Sequence, residues 1–167
     1  MKKIIFFLIL QVTLFAQTDM LKRFSLGVDT AINVAGIETK GNIEYKVKNS
    51  LSLKMGYDIN DLIRAQISYE KIKNKNHNDV SASYLSFILT AKNSLSTKEL
   101  FSTDFTIYPS VEFGLLGVLM GGISLNYEFT KQMEFSITEK YLNKDGIRFG
   151  SGSKYVKGTF VGFRYKL

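Results

Sequence analysis

The chain of 167 residues is rich in Tyr (9), Phe (13) and Gly (13), holds a single Pro and no Cys, and is 45% hydrophobic and 22% charged. That length holds one domain, the composition favours strands over disorder, and the missing cysteines exclude a disulfide framework, a thiolate metal site and a lipid-bearing cysteine. The formal charge of +7 falls to +5 without Lys2 and Lys3 and is spread along the chain, so there is no basic stripe of the kind that binds nucleic acid.

Met1-Lys2-Lys3 is a positively charged start, Ile4 to Phe15 is apolar apart from Gln11 and Thr13, and Ala16 offers a small residue before Gln17. Residues 1–16 therefore read as a secretory signal peptide cleaved near Ala16. The apolar stretch is shorter than the roughly 18–20 residues of a membrane-spanning helix. Leu14, three residues before the cut, is bulkier than the residue usual there. Residues 17–167 form the exported domain.

From Phe24 the hydrophobic period is two. Phe24, Leu26, Val28, Thr30, Ile32 and Val34 alternate with Ser25, Gly27, Asp29, Ala31, Asn33 and Ala35. Segments of about ten alternating residues separated by turn residues are the pattern of membrane-spanning barrel strands. The pattern predicts eight strands, near 24–34, 42–48, 51–70, 80–91, 103–115, 121–129, 133–142 and 158–167. The fold class is all-β: an antiparallel up-and-down transmembrane barrel with a polar interior.

The long third strand follows from parity. Leu51, Leu53, Met55, Tyr57 and Ile59 share odd numbering with Ile63, Ala65, Ile67 and Tyr69, so one strand is expected to run through Asn60-Asp61 and to extend on the order of 65 Å, well beyond a bilayer. A three-residue connection, Asn49-Ser50-Leu51, would pair Lys48 with Ser52 and Lys46 with Lys54. Thr130-Lys131-Gln132 would likewise pair Glu128 with Glu134. Short turns belong at the periplasmic end, which makes 71–79 and 143–157 external loops and 92–102 an unusually long periplasmic connection. The apolar run Leu115 to Met120 is either two longer strands turning tightly around Gly117 or Gly121-Gly122, or an apolar lip.

Small and charged residues fill one face, which suits a narrow interior, and aromatic residues (Tyr45, Phe105, Tyr127, Phe129, Phe135, Tyr165) mark strand ends on the other. The inward face is expected to hold a structural charge network of Glu44, Lys46, Lys54, Glu112, Glu128, Glu134, Arg164 and Lys166, with Arg164 and Lys166 offsetting Glu128 and Glu134. These strands, the hairpin sequence Tyr-Lys-Val-Lys-Asn-Ser-Leu-Ser-Leu (45–53) and the final Gly-Phe-Arg-Tyr-Lys-Leu (162–167) resemble the eight-stranded OmpA/OmpX-like outer-membrane barrels of Gram-negative bacteria. The resemblance implies contact with outer-membrane lipid and lipopolysaccharide, and recognition of the last strand by the barrel-assembly machinery. Leu167 departs from the aromatic residue that usually ends that strand.

Fold resemblance does not fix function. No catalytic, cofactor or metal site is expected: the single histidine, His77, lies in a polar loop (73–79) with Ser81 and Ser83 following, and interior carboxylates read as structural. The expected function is a structural, adhesive or surface-interaction role through the external loops, with an interior too narrow for a wide pore. Two alternatives stand beside it: a soluble lipocalin-like carrier with the faces reversed, and a lipid-modifying outer-membrane enzyme that uses His77.

Overall fold

β-branched and aromatic residues alternating with small and polar ones produce eight strands: β1 (Phe24–Glu38), β2 (Ile43–Asp58), β3 (Ile63–Asn74), β4 (Val80–Thr90), β5 (Thr106–Leu116), β6 (Leu119–Glu128), β7 (Met133–Asn143) and β8 (Lys154–Lys166). The structure is a computed structural model that describes residues 21–38, 43–74, 80–116, 119–143 and 154–167, with side chains over 22–33, 49–73, 81–114, 119–143 and 156–167. Each strand pairs antiparallel with the next and β8 closes on β1. Closure gives every strand a neighbour on both sides. The leader expected at 1–16 and His77 lie outside the described residues.

Stepping from pair to pair around the wall, Ile63 leads through Leu89, Val111, Ile123, Glu139 and Thr159 to Asn33. The path begins at the first residue of β3 and ends well along β1, the stagger that tilts the strands of a closed barrel.

The strand count agrees with the sequence expectation, but two of the boundaries behind it do not. β2 runs without a turn through Asn49-Ser50-Leu51, so Lys46 and Lys54 lie on one strand, and the expected Lys48–Ser52 and Lys46–Lys54 pairings do not form. The chain turns instead at residues 59–62, and Asp58 pairs with Arg64. Asp58 and Arg64 are both even-numbered, so a hairpin of this register preserves odd–even parity as faithfully as a continuous strand does. Parity therefore cannot separate the two cases. One hairpin assumed and one overlooked cancel, leaving eight strands and no 51–70 strand.

Local chemistry decides the true turn. The Asn60 side-chain oxygen accepts the Leu62 and Ile63 amides at 2.9 and 2.8 Å, while the Ile63 carbonyl accepts the Ile59 amide at 2.9 Å. Residues 129–132 repeat the design: Thr130 Oγ1 accepts the Gln132 and Met133 amides, and the Met133 carbonyl accepts Phe129 N–H at 3.0 Å. Here the expected Glu128–Glu134 pairing holds.

The third connection at this end, residues 91–105, carries two short helices, α1 (Lys92–Leu95) and α2 (Thr97–Phe101). At the opposite end, β5 and β6 extend over Leu116 and Leu119, so most of the apolar 115–120 segment is strand rather than lip. Residues 71–74 belong to β3 and 154–157 to β8, which narrows both expected external loops.

Candidate functional site: the polar interior and its two ends

Among the described side chains of β2 to β8, even-numbered ones point inward and odd-numbered ones outward. Inside lie Ser52, Gln66, Ser68, Glu70, Glu134 and Lys140, all nearly or wholly buried. Outside lie Leu53, Ile67, Leu125, Ile137 and, at 66% exposed, Ile123. The molecule is polar within and apolar without. A carrier of lipophilic ligands would need the reverse.

At the end bearing the short turns, Glu134 is the centre of a charge cluster. Arg164 from the adjacent β8 binds its Oε1, Arg64 from β3 stands 3.8 Å from the same oxygen, and Tyr108 donates its hydroxyl to Oε2. Arg64 also clasps Asp58 across its own hairpin. Arg164 donates to Gln66 Oε1 at 3.2 Å, and Gln66 passes the chain of bonds on to Glu112 at 2.8 Å, where Ser86 Oγ donates at 2.6 Å. A carboxylate desolvated this far is tolerated only with such compensation.

Arg164 therefore meets Glu134 as expected. Glu128 is neutralised differently, by Lys92 of α1. Lys166 lines the mouth of the barrel, and Lys54 pairs with Asp29 of β1. Glu112 is held by neutral donors. The side chains of Glu44 and Lys46 lie outside the described ones. Sequence reading missed Arg64, Tyr108 and Lys92. Arg64 was on the correct face, but the fused 51–70 strand gave it the wrong height, and nothing in the pattern of 92–102 pointed Lys92 toward β6.

This end opens as a vestibule of about 210 Å³ whose wall carries Arg64, Lys92, Arg164 and Lys166 against Asp58, Asp61 and Glu134. Toward the other end an ion pair crosses the lumen. Lys140 Nζ lies 2.8 Å from Glu70 Oε2 and 4.1 Å from the ring centre of Phe160. Beyond this pair the inward face turns apolar, with Tyr84, Met120 and Leu142 packed together over Ala82 and Val156. The polar interior is interrupted here by this small apolar cluster. Among the described residues no group of three or more His, Cys, Asp or Glu is arranged to hold a metal ion.

On the outside, rings cluster where the short turns lie: Phe24 against Tyr57 at 4.9 Å, Phe135 against Phe163 at 5.1 Å, and Tyr127 against Phe129 at 6.3 Å. Tyr45 lies outside the described side chains. An aromatic belt at the edge of an apolar wall is the mark of a membrane–water boundary.

No protein-family model and no curated protein matches the chain. Among solved structures, the crystal structure of Neisserial surface protein A is similar, with a TM-score of 0.58 at 17% identity over 86% of this chain and 97% of that one. The fold is that of the small eight-stranded outer-membrane barrels.

Proposed function

We propose that the chain is a small integral barrel of the bacterial outer membrane, exported by its leader, that acts at the cell surface through its loop-end connections rather than as an enzyme or a wide pore. The observation that carries this reading is the inversion of burial: Lys140, Glu70 and Glu134 inside, Ile123, Leu125 and Ile137 outside. An apolar wall of this extent has no stable arrangement in water and is the ordinary state of a barrel in lipid.

The filled interior argues against wide diffusion and against an internal active site. Adhesive or structural contact is then left to the connections spanning 75–79 and 144–153, a role in keeping with the surface location in the name of Neisserial surface protein A. On this reading the outer wall meets phospholipid and lipopolysaccharide, and β8 carries the signal for assembly.

Expression of the full chain, and of a form with 75–79 and 144–153 replaced by short Gly-Ser turns, tests it. Both forms should sediment with the outer membrane, and only the full chain should raise adhesion of the cells to coated surfaces. Recovery in the soluble periplasm overturns the membrane assignment, and equal adhesion overturns the surface role.

A further inference from the structure

Two of the three short-turn-end connections are minimal, closed by one side chain each, Asn60 and Thr130. The third, 91–105, is long, and it is folded. Ser96 caps α2 by accepting the Glu99 amide at 3.3 Å, and Ser102 ends it in the left-handed conformation at φ 54°. Thr97 Oγ1 donates to the Phe105 carbonyl at 2.8 Å and accepts the Ile107 amide at 2.9 Å, which fastens α2 to the start of β5. The Ala91 amide bonds to the Pro109 carbonyl at 3.1 Å, and Lys92 binds Glu128. The segment is fixed at both ends to the rim of the barrel.

It displays large apolar residues among the polar Asn93, Ser94, Lys98, Glu99, Ser102 and Asp104. Neither helix buries a residue, and Leu95, Leu100 and Phe101 are 53%, 55% and 71% exposed. Along the chain these residues lead toward the apolar wall. The exposed Phe105 runs directly into the outward face of β5, exposed Phe129 follows Glu128, the partner of Thr106 in the register, and exposed Leu62 precedes Ile63, the partner of Leu89. The apolar wall and its aromatic edge therefore lead along the chain into the connection, where exposed Lys98 offers a charge suited to lipid phosphates next to the exposed carboxylate of Glu99.

We propose that residues 92–105 are a membrane foot: α1 and α2 lie in the bilayer interface at the short-turn end, with Leu95, Leu100 and Phe101 seated among the acyl chains of glycerophospholipids. The foot fixes the depth and tilt of the barrel by adding an anchor on the β4–β5 side that the tight turns of 59–62 and 129–132 do not provide. The inference rests on the membrane assignment above.

The chain has no Trp, so Phe101→Trp introduces a single tryptophan, excited at wavelengths where the tyrosines absorb little. Leu125→Trp, on the outward face of β6, reports the wall itself. Both proteins are refolded into phosphatidylethanolamine–phosphatidylglycerol vesicles with brominated or plain acyl chains. The foot predicts blue-shifted emission for both variants, several-fold stronger quenching by brominated lipid than by plain lipid, and shielding from iodide. Leu100→Trp serves as a second reporter should Phe101→Trp fold poorly. If the foot reporters are iodide-accessible and untouched by bromine while Leu125→Trp is quenched, the foot is wrong and the membrane assignment stands. The foot is equally wrong if its reporters become shielded only on addition of periplasmic protein. If all reporters are iodide-accessible and unquenched, the membrane assignment itself fails, and the foot with it.

Discussion

Lys140 of β7 reaches across the lumen to Glu70 of β3, four strands away around the wall, with 2.8 Å between Nζ and Oε2 and both side chains fully buried. Ser50 Oγ and the Tyr84 hydroxyl each donate to the same carboxylate at 3.1 Å, and the Phe160 ring lies against the ammonium. Opposite walls are thus tied together beneath the apolar plug. Removing one member leaves the other charge buried and unpaired. Lys140→Met should therefore cost about 3–5 kcal/mol, whereas Lys140→Met with Glu70→Leu should cost less than the two single changes summed. Urea unfolding of vesicle-inserted protein measures both, and additive losses would show that the strut contributes no coupling.

Two glycines should respond oppositely. A Cβ on Gly162 would collide with Asp29 Oδ1 and stand 2.5 Å from Ser136 Oγ, whereas one on Gly121 meets nothing within 4 Å. Gly162→Val should abolish folding or destabilise by several kcal/mol through overpacking, and Gly121→Val should be neutral or stabilising. The yield of folded barrel after refolding decides the matter. Equal yields would contradict the inward and outward assignments of these faces.

Ile123 stands midway along β6 on the outward face. Ile123→Arg should cost about 2–4 kcal/mol in a bilayer, the penalty for a cation near its centre. In a barrel surrounded by water the same exposed change would stay within about 0.5 kcal/mol. Unfolding in vesicles separates these magnitudes.

The turn at 59–62 is also open to test. Asn60→Ala removes the acceptor for two amides and should cost about 0.5–1.5 kcal/mol, as should Thr130→Ala in the matching turn. Ser50→Ala interrupts no turn and loses only its bond to Glu70. If Asn60→Ala proves neutral in urea unfolding, the Asn60 side chain is not what turns the chain there.

Much of this architecture was legible in the residues. The period of two gave the barrel, the division between faces, the Glu128–Glu134 hairpin and the Glu134–Arg164 contact, because side-chain direction in a strand follows from backbone geometry alone. The height of each residue did not follow. Arg64 reaches Glu134 only because Asn60 turns the chain, and that depends on one side chain accepting two amides rather than on any periodicity. The apolar plug was hidden for a related reason: Tyr84, Met120 and Leu142 sit at even positions, and which of those stack at one level depends on the stagger of all eight strands. Lys92 lies in a helical segment with no strand pattern to orient it.

An apolar wall embedded in lipid around a packed polar interior has one decisive signature. A closed barrel of this kind resists dodecyl sulfate until it is heated, so electrophoresis of the membrane-inserted protein, cold and after boiling, is the sharpest test. The cold sample should run as a compact, faster-migrating form that converts to the unfolded mobility on boiling. A single mobility under both conditions, with the protein extracted from membranes by carbonate, would contradict a lipid-embedded barrel.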